Sequence, residues 1–128
     1  MKLASIDVGL KRIGIAICLT SDIVTPQTAI LRKNRNQAAR DVNIFLKEWE
    51  IEKLIVGFPS ASIDMQNRIN HFVSLLELEI PYEFCEENMS SIEAEDLIKG
   101  EIKYKRDGRI DSIAAKIILE RYLTKKIS

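Results

Sequence analysis

Leu3-Ala4-Ser5-Ile6-Asp7-Val8, then Gly9-Leu10-Lys11-Arg12, then Ile13-Gly14-Ile15-Ala16-Ile17, is the stretch that decides how this chain folds. Leu3 to Val8 reads as a strand, and the alternation of Ile13, Ile15 and Ile17 marks a second one. The link between them is short and begins with glycine, so the two strands form a hairpin. Ile23 to Leu31 is a third strand. Its Pro26 has no N–H to give to a ladder, which places it at a sheet edge or a bulge. The chain therefore opens as an antiparallel meander.

Beyond the meander the periodicity changes. Asn36 is read as the N-cap of a helix. Ala38, Val42, Phe45, Leu46 and Trp49 then fall on one helical face. Leu54-Ile55-Val56, ending at Gly57, is a continuous apolar run, the pattern of a strand covered on both faces in a parallel sheet. Met65, Ile69, Phe72, Val73 and Leu76 repeat the helical stripe, and Pro81 to Cys85 is a fifth strand. Ser90 and Glu93 have capping-box spacing for a short helix to about Ile98, which Gly100 ends. Glu101 to Arg109 is polar and basic and reads as a loop. Asp111 to Leu123 is the last helix, apolar around most of its circumference. The order β-β-β-α-β-α-β-α-α predicts an α/β fold: one five-stranded mixed sheet with helices on both faces.

A chain of 128 residues fits a single domain spanning 1–128. With 46% hydrophobic and 30% charged residues it has the balance of a globular core, not of a disordered chain. No apolar run approaches the ~20 residues of a membrane span, and the start Met1-Lys2-Leu3-Ala4-Ser5-Ile6-Asp7 is unlike a signal peptide. The expected location is the cytoplasm, with no membrane partner. Cys18 and Cys85 lie in apolar strand-like segments and read as buried thiols, not a disulfide. The one histidine, His71, has no nucleophile in view, so Ser-His-Asp and Cys-His catalysis lack support.

Net charge is zero, which argues against a protein that merely coats nucleic acid. The basic residues are nonetheless clustered: Lys11 with Arg12; Arg32, Lys33, Arg35 and Arg40; Lys103, Lys105, Arg106 and Arg109. Each cluster taken alone is an ordinary solvated face.

Carboxylates at three places invite a joint reading, although Glu86 and Glu87 taken alone read as an ordinary solvated acidic turn. Asp7 is near the end of the first strand, where a carboxylate is costly unless it is paired or binds a cation. Glu86 and Glu87 follow the fifth strand; adjacent strand residues point to opposite faces, so at most one joins Asp7. Asp111 opens the last helix on the face that continues as Ala115, Ile118 and Tyr122. Its plainer role is to complement the helix dipole, worth ~0.3–1 kcal/mol. Converging, the three would repel unless divalent cations sat among them. Mg²⁺ accepts a few carboxylates and keeps positions open for phosphate oxygens. Two such ions ~3.5–4 Å apart are the usual apparatus for in-line phosphodiester hydrolysis.

Ile6-Asp7-Val8-Gly9-Leu10-Lys11-Arg12-Ile13-Gly14-Ile15-Ala16 resembles the opening signature of the YqgF/RuvX family. Ile55-Val56-Gly57-Phe58-Pro59 resembles its G-x-P strand end, and Asp111-Ser112-Ile113-Ala114-Ala115 its last helix. The resemblance covers essentially the whole chain. It implies an RNase H-like, Holliday-junction-resolvase-like fold and a metal-dependent nuclease, a hydrolase of nucleic-acid phosphodiesters that trims the 5′ end of pre-16S ribosomal RNA. It implies Asp7, Glu87 and Asp111 as catalytic metal ligands for Mg²⁺ or Mn²⁺, two ions in all, with Asp7 bridging. Lys11, Arg12, Lys103, Lys105, Arg106 and Arg109 would hold phosphates of a structured RNA or a branched DNA. A second copy of the chain is a candidate partner. Two features depart from the family pattern. Asn88 stands where the family has arginine, and the segment from Pro59 into the next helix is short.

Two other classes compete. A non-catalytic nucleic-acid-binding member of the family would keep binding after loss of Asp7. A sugar-kinase or actin-like phosphotransferase also opens with Asp-x-Gly in a hairpin, but it needs a second half that 128 residues do not supply.

Overall fold

A computed structural model describes residues 1–20, 23–86 and 112–127. Five strands form one sheet: β1 (Leu3–Val8), β2 (Arg12–Cys18), β3 (Thr25–Leu31), β4 (Lys53–Phe58) and β5 (Tyr82–Glu86), in the order β3-β2-β1-β4-β5. β2 is antiparallel to β1 and β3 antiparallel to β2, whereas β4 and β5 run parallel to β1. The mixed sheet expected from the element order is therefore what forms. The short helix expected from Ser90 lies outside the described residues.

Alternation along β1 sorts its side chains between two layers. Ala4, Ile6 and Val8 enter a cluster with Val42 and Leu46 of α1 (Arg35–Glu48) and with Ile69, Phe72 and Leu76 of α2 (Ile63–Leu76). Leu3 enters the opposite cluster, with Ala115, Ile118, Leu119 and Tyr122 of α3 (Ile113–Ile127). Ser5 lies on that second face too, where its hydroxyl donates to the Ala115 carbonyl at 2.6 Å. The stripe read from sequence on α3 is thus the face laid on the sheet. Full burial of side chains such as Ile118 and Leu119 stabilises by roughly 1.5–3 kcal/mol each.

The N-cap of α1 is Asn34, not Asn36. Asn34 is extended (φ −153°); its side chain accepts from Gln37 N at 2.8 Å, and the Gln37 side chain returns to the cap backbone. Asn36 already lies within the helix. The reciprocal partner three residues on decides between them, because it satisfies donors at both positions. Pro26 is on β3, an edge strand, as its missing N–H requires. The same pair of strands carries a bulge. Ile13 faces Ile30 but Ile15 faces Gln27, so Thr28 and Ala29 together stand opposite Gly14.

Candidate active site

The C-terminal ends of β1, β3, β4 and β5 share one edge of the sheet, and Asp7 stands there on the central strand. It is half-buried, on the α3 face, and its register partner on β2 is Gly14. A residue without a side chain beside it leaves space. Asp7, Gly9, Lys11, Arg12, Gly14 and Leu31 line an open depression of about 570 Å³. The structure therefore brings Asp7, Lys11 and Arg12 together, as expected, with both cations exposed at the rim.

The turn that makes this rim is tight. Gly9 N–H donates to the Arg12 carbonyl at 3.0 Å. A Cβ on Gly9 would sit 2.7 Å from that same oxygen, so only glycine fits without a backbone shift. Arg32 fastens the turn from outside: its Nη1 donates to the Gly9 carbonyl at 2.8 Å, and its N–H donates to the Lys11 carbonyl at 2.9 Å. Sequence reading grouped Arg32 with solvated residues; nothing local marks it as a turn anchor.

Two chain segments lead from this edge to the other expected acids. β5 ends at Glu86, whose carboxylate accepts from Ser60 N–H at 3.3 Å. Cys85 belongs to the α3 cluster, so Glu86 lies on the opposite face from Asp7. At the other segment, buried Ser112 reaches the sheet. Its hydroxyl accepts from the Ile15 N–H at 3.0 Å, one residue from the Gly14 that pairs with Asp7. Ser112 carried no functional reading in the sequence, although it sits inside the quoted Asp111-Ser112-Ile113 motif.

Glu87, Asp111, Lys103, Lys105, Arg106 and Arg109 lie outside the described residues. Among the described residues no group of three or more His, Cys, Asp or Glu side chains gathers as a metal cage. The donor chemistry that is described fits a divalent ion: a hard carboxylate, half-buried, at an open depression next to cations suited to phosphate. No described helix is long and apolar enough to cross a membrane. Cys18 and Cys85 are buried and form no disulfide, on strands separated by β1 and β4, and burial raises the pKa of the Cys85 thiol.

This architecture is an RNase H-like resolvase fold. The chain aligns over its full length with the fowlpox virus resolvase solved with Holliday junction DNA (TM-score 0.59, 14% identity, 100% of both chains). It also aligns with Thermus thermophilus RuvC (TM-score 0.51, 10% identity, 100% of this chain and 97% of that chain). Residues 1–125 match the family model described as RuvX, Holliday junction resolvase, and the chain belongs to that family. A Sulfurovum protein is 65% identical over 127 residues, covering 97% of this chain and 99% of its own. A Sulfurimonas denitrificans protein is 53% identical over 129 residues, covering 98% and 99%. Both relatives bear the name "Putative pre-16S rRNA nuclease".

Proposed function

We propose that residues 1–128 form one nuclease domain that hydrolyses phosphodiesters at the 5′ end of pre-16S ribosomal RNA, with Asp7, Glu87 and Asp111 as ligands of two Mg²⁺ or Mn²⁺ ions. The observation that carries it is Asp7 on the central strand, opening into a depression rimmed by Lys11 and Arg12. Relatives named as pre-16S rRNA nucleases, at 53–65% identity over nearly full length, support the substrate.

The neighbours of the other two acids support the ligand set. Consecutive Cα atoms are ~3.8 Å apart, so Asp111 is one short step from a residue hydrogen-bonded beside Gly14. Asp111 also precedes Ala115, Ile118 and Tyr122 on a helical stripe that faces the sheet. Glu86 is turned to the face away from Asp7, which favours Glu87 over Glu86 as the ligand that follows β5.

Bound ions would supply the Lewis acidity that in-line phosphodiester hydrolysis requires. The chain's own part is positioning. Asp7, Glu87 and Asp111 would hold the ions, and Lys11 and Arg12 would hold neighbouring phosphates by charge-assisted hydrogen bonds. No arginine follows Glu87 to share that task, since Asn88 occupies the position.

The experiment is cleavage of a pre-16S RNA leader and of a four-way DNA junction, with Mg²⁺ or Mn²⁺ and with chelator. Metal-dependent cutting of the RNA that disappears in Asp7→Asn is the expected result. Cutting confined to the junction would move the substrate to branched DNA, which the family description also names. Binding with no cutting under any metal would make the chain a non-catalytic member.

A further inference from the structure

The metal-nuclease reading leaves unused a group of side chains on the other side of the β1–β2 turn. Arg32 follows β3. Its guanidinium, held by the Gly9 carbonyl at 2.8 Å, lies over the Phe72 ring at 5.6 Å from the centroid. Arg35 begins α1, with Nη1 3.1 Å from His71 Nε2. Arg68, His71 and Phe72 are spaced i, i+3 and i+4 on α2, so they share one face. Arg32 feels Arg35 and Arg68 as like charges: burial first, then those two neighbours, lowers its pKa. Among the described residues no carboxylate forms an ion pair with Arg32, Arg35 or Arg68, whereas Lys2, Lys53 and Lys116 each pair with a glutamate.

The position is as informative as the charge. β3 ends at Leu31, α1 begins at Arg35 and α2 begins at Ile63, all at the sheet edge where β1 ends at Val8. Gly9 lines the Asp7 depression and also anchors Arg32, so one backbone turn joins the two places. Three guanidiniums that form no ion pair among the described residues, with Asp64 one helical turn before Arg68 as the acid nearest along α2, repel one another until an anion arrives. Guanidinium forks suit phosphate, and Arg32 is already ordered by the carbonyl and ring it touches.

We propose that Arg32, Arg35 and Arg68, beside His71, form a second phosphate-binding site that takes the sugar-phosphate backbone of the substrate RNA where it leaves the Asp7 depression. This rests on the nuclease reading for the identity of the ligand. It adds to the Lys11–Arg12 rim a track across the α1–α2 side of the turn.

The test separates binding from cleavage. A fluorescein-labelled RNA hairpin is titrated with metal-free protein, read by anisotropy across a KCl series. Arg35→Gln with Arg68→Gln is the informative variant, because Arg32 also holds the turn. Each lost phosphate contact removes roughly 0.7–0.9 from the slope of log K against log salt. The double variant should therefore lose about 1.4–1.8 of that slope and bind about tenfold or more weakly at low salt. The charge-keeping pair Arg35→Lys with Arg68→Lys should retain most of the slope. Lys2→Gln with Lys47→Gln, the same charge removed from the opposite edge, should leave it unchanged. An unchanged slope in the Gln pair, or an equal loss in either other pair, overturns the proposal. Should Asp7→Asn cut RNA as well as the parent protein, the metal site falls, and this binding readout still decides the second site.

Discussion

The Ser112 hydroxyl accepts a hydrogen bond from the backbone N–H of Ile15 at 3.0 Å, with both residues fully buried. The bond pins the start of α3 to β2 beside the bulge opposite Gly14. A buried N–H left without its acceptor costs about 1–3 kcal/mol. Ser112→Ala should lower stability by that amount in urea unfolding. It should also reduce cleavage in the folded protein, because Asp111 precedes it directly. Full activity with lowered stability would detach this hydrogen bond from the site.

Gly9→Ala places a Cβ 2.7 Å from the Arg12 carbonyl. The turn must open, at a cost of about 0.5–3 kcal/mol. RNA binding should weaken with it, since Lys11 and Arg12 ride on the same turn. A melting temperature and an affinity equal to those of the parent would show that the turn adapts freely.

Lys53 donates to Tyr122 Oη at 2.8 Å and pairs with Glu83 at 2.7 Å, tying β4, β5 and α3 together. The Glu83 hydrogen bond first, then that of Tyr122, raises the Lys53 pKa. A raised lysine contributes stability that is complete below its unfolded value of about 10.4 and fades as pH climbs through the folded value. Lys53→Met should therefore be less stable than the parent at pH 8, with the difference closing in alkali. A gap constant to pH 11 would mean the ion pair contributes nothing.

If Asp7 is a ligand, Mn²⁺ should raise the melting temperature by mass action on the native state, by about 2.7 kcal/mol of stability at a hundredfold excess over Kd. Asp7→Asn should lose most of that rise. An undiminished rise in the variant would place the ion elsewhere.

Lys105→Ala with Arg106→Ala should weaken RNA binding across sequences and flatten its salt dependence, while cleavage at saturating substrate falls much less. Asp111→Asn should do the reverse. A double variant that binds and cuts like the parent would reduce the 103–109 segment to solvated surface.

The hairpin, the two-sided burial of Leu54-Ile55-Val56 and the sheet-facing stripe of α3 were all legible in the sequence. Each is written locally: the hairpin in an alternation of period two, the buried strand in an unbroken apolar run, the helix in a stripe of period 3.6. The same alternation told that Glu86 and Glu87 must part, but not which one shares the face of Asp7. The neighbours of Cys85 and the Ser60 hydrogen bond of Glu86 show that Glu86 itself is turned away from that face. Asn34 and Asn36 look alike as caps until Gln37 is seen to close the box on Asn34. Only the tertiary structure put β4 beside β1 and β5 outside it, because parallel partners are joined by long crossovers and leave no mark of one another in sequence. That ordering brings the strand ends, the start of α3 and the arginines of the α1–α2 side to one edge. Arg32 on Gly9 and Ser112 on Ile15, contacts spanning 23 and 97 residues, are likewise decided in three dimensions, within the meander and between α3 and β2.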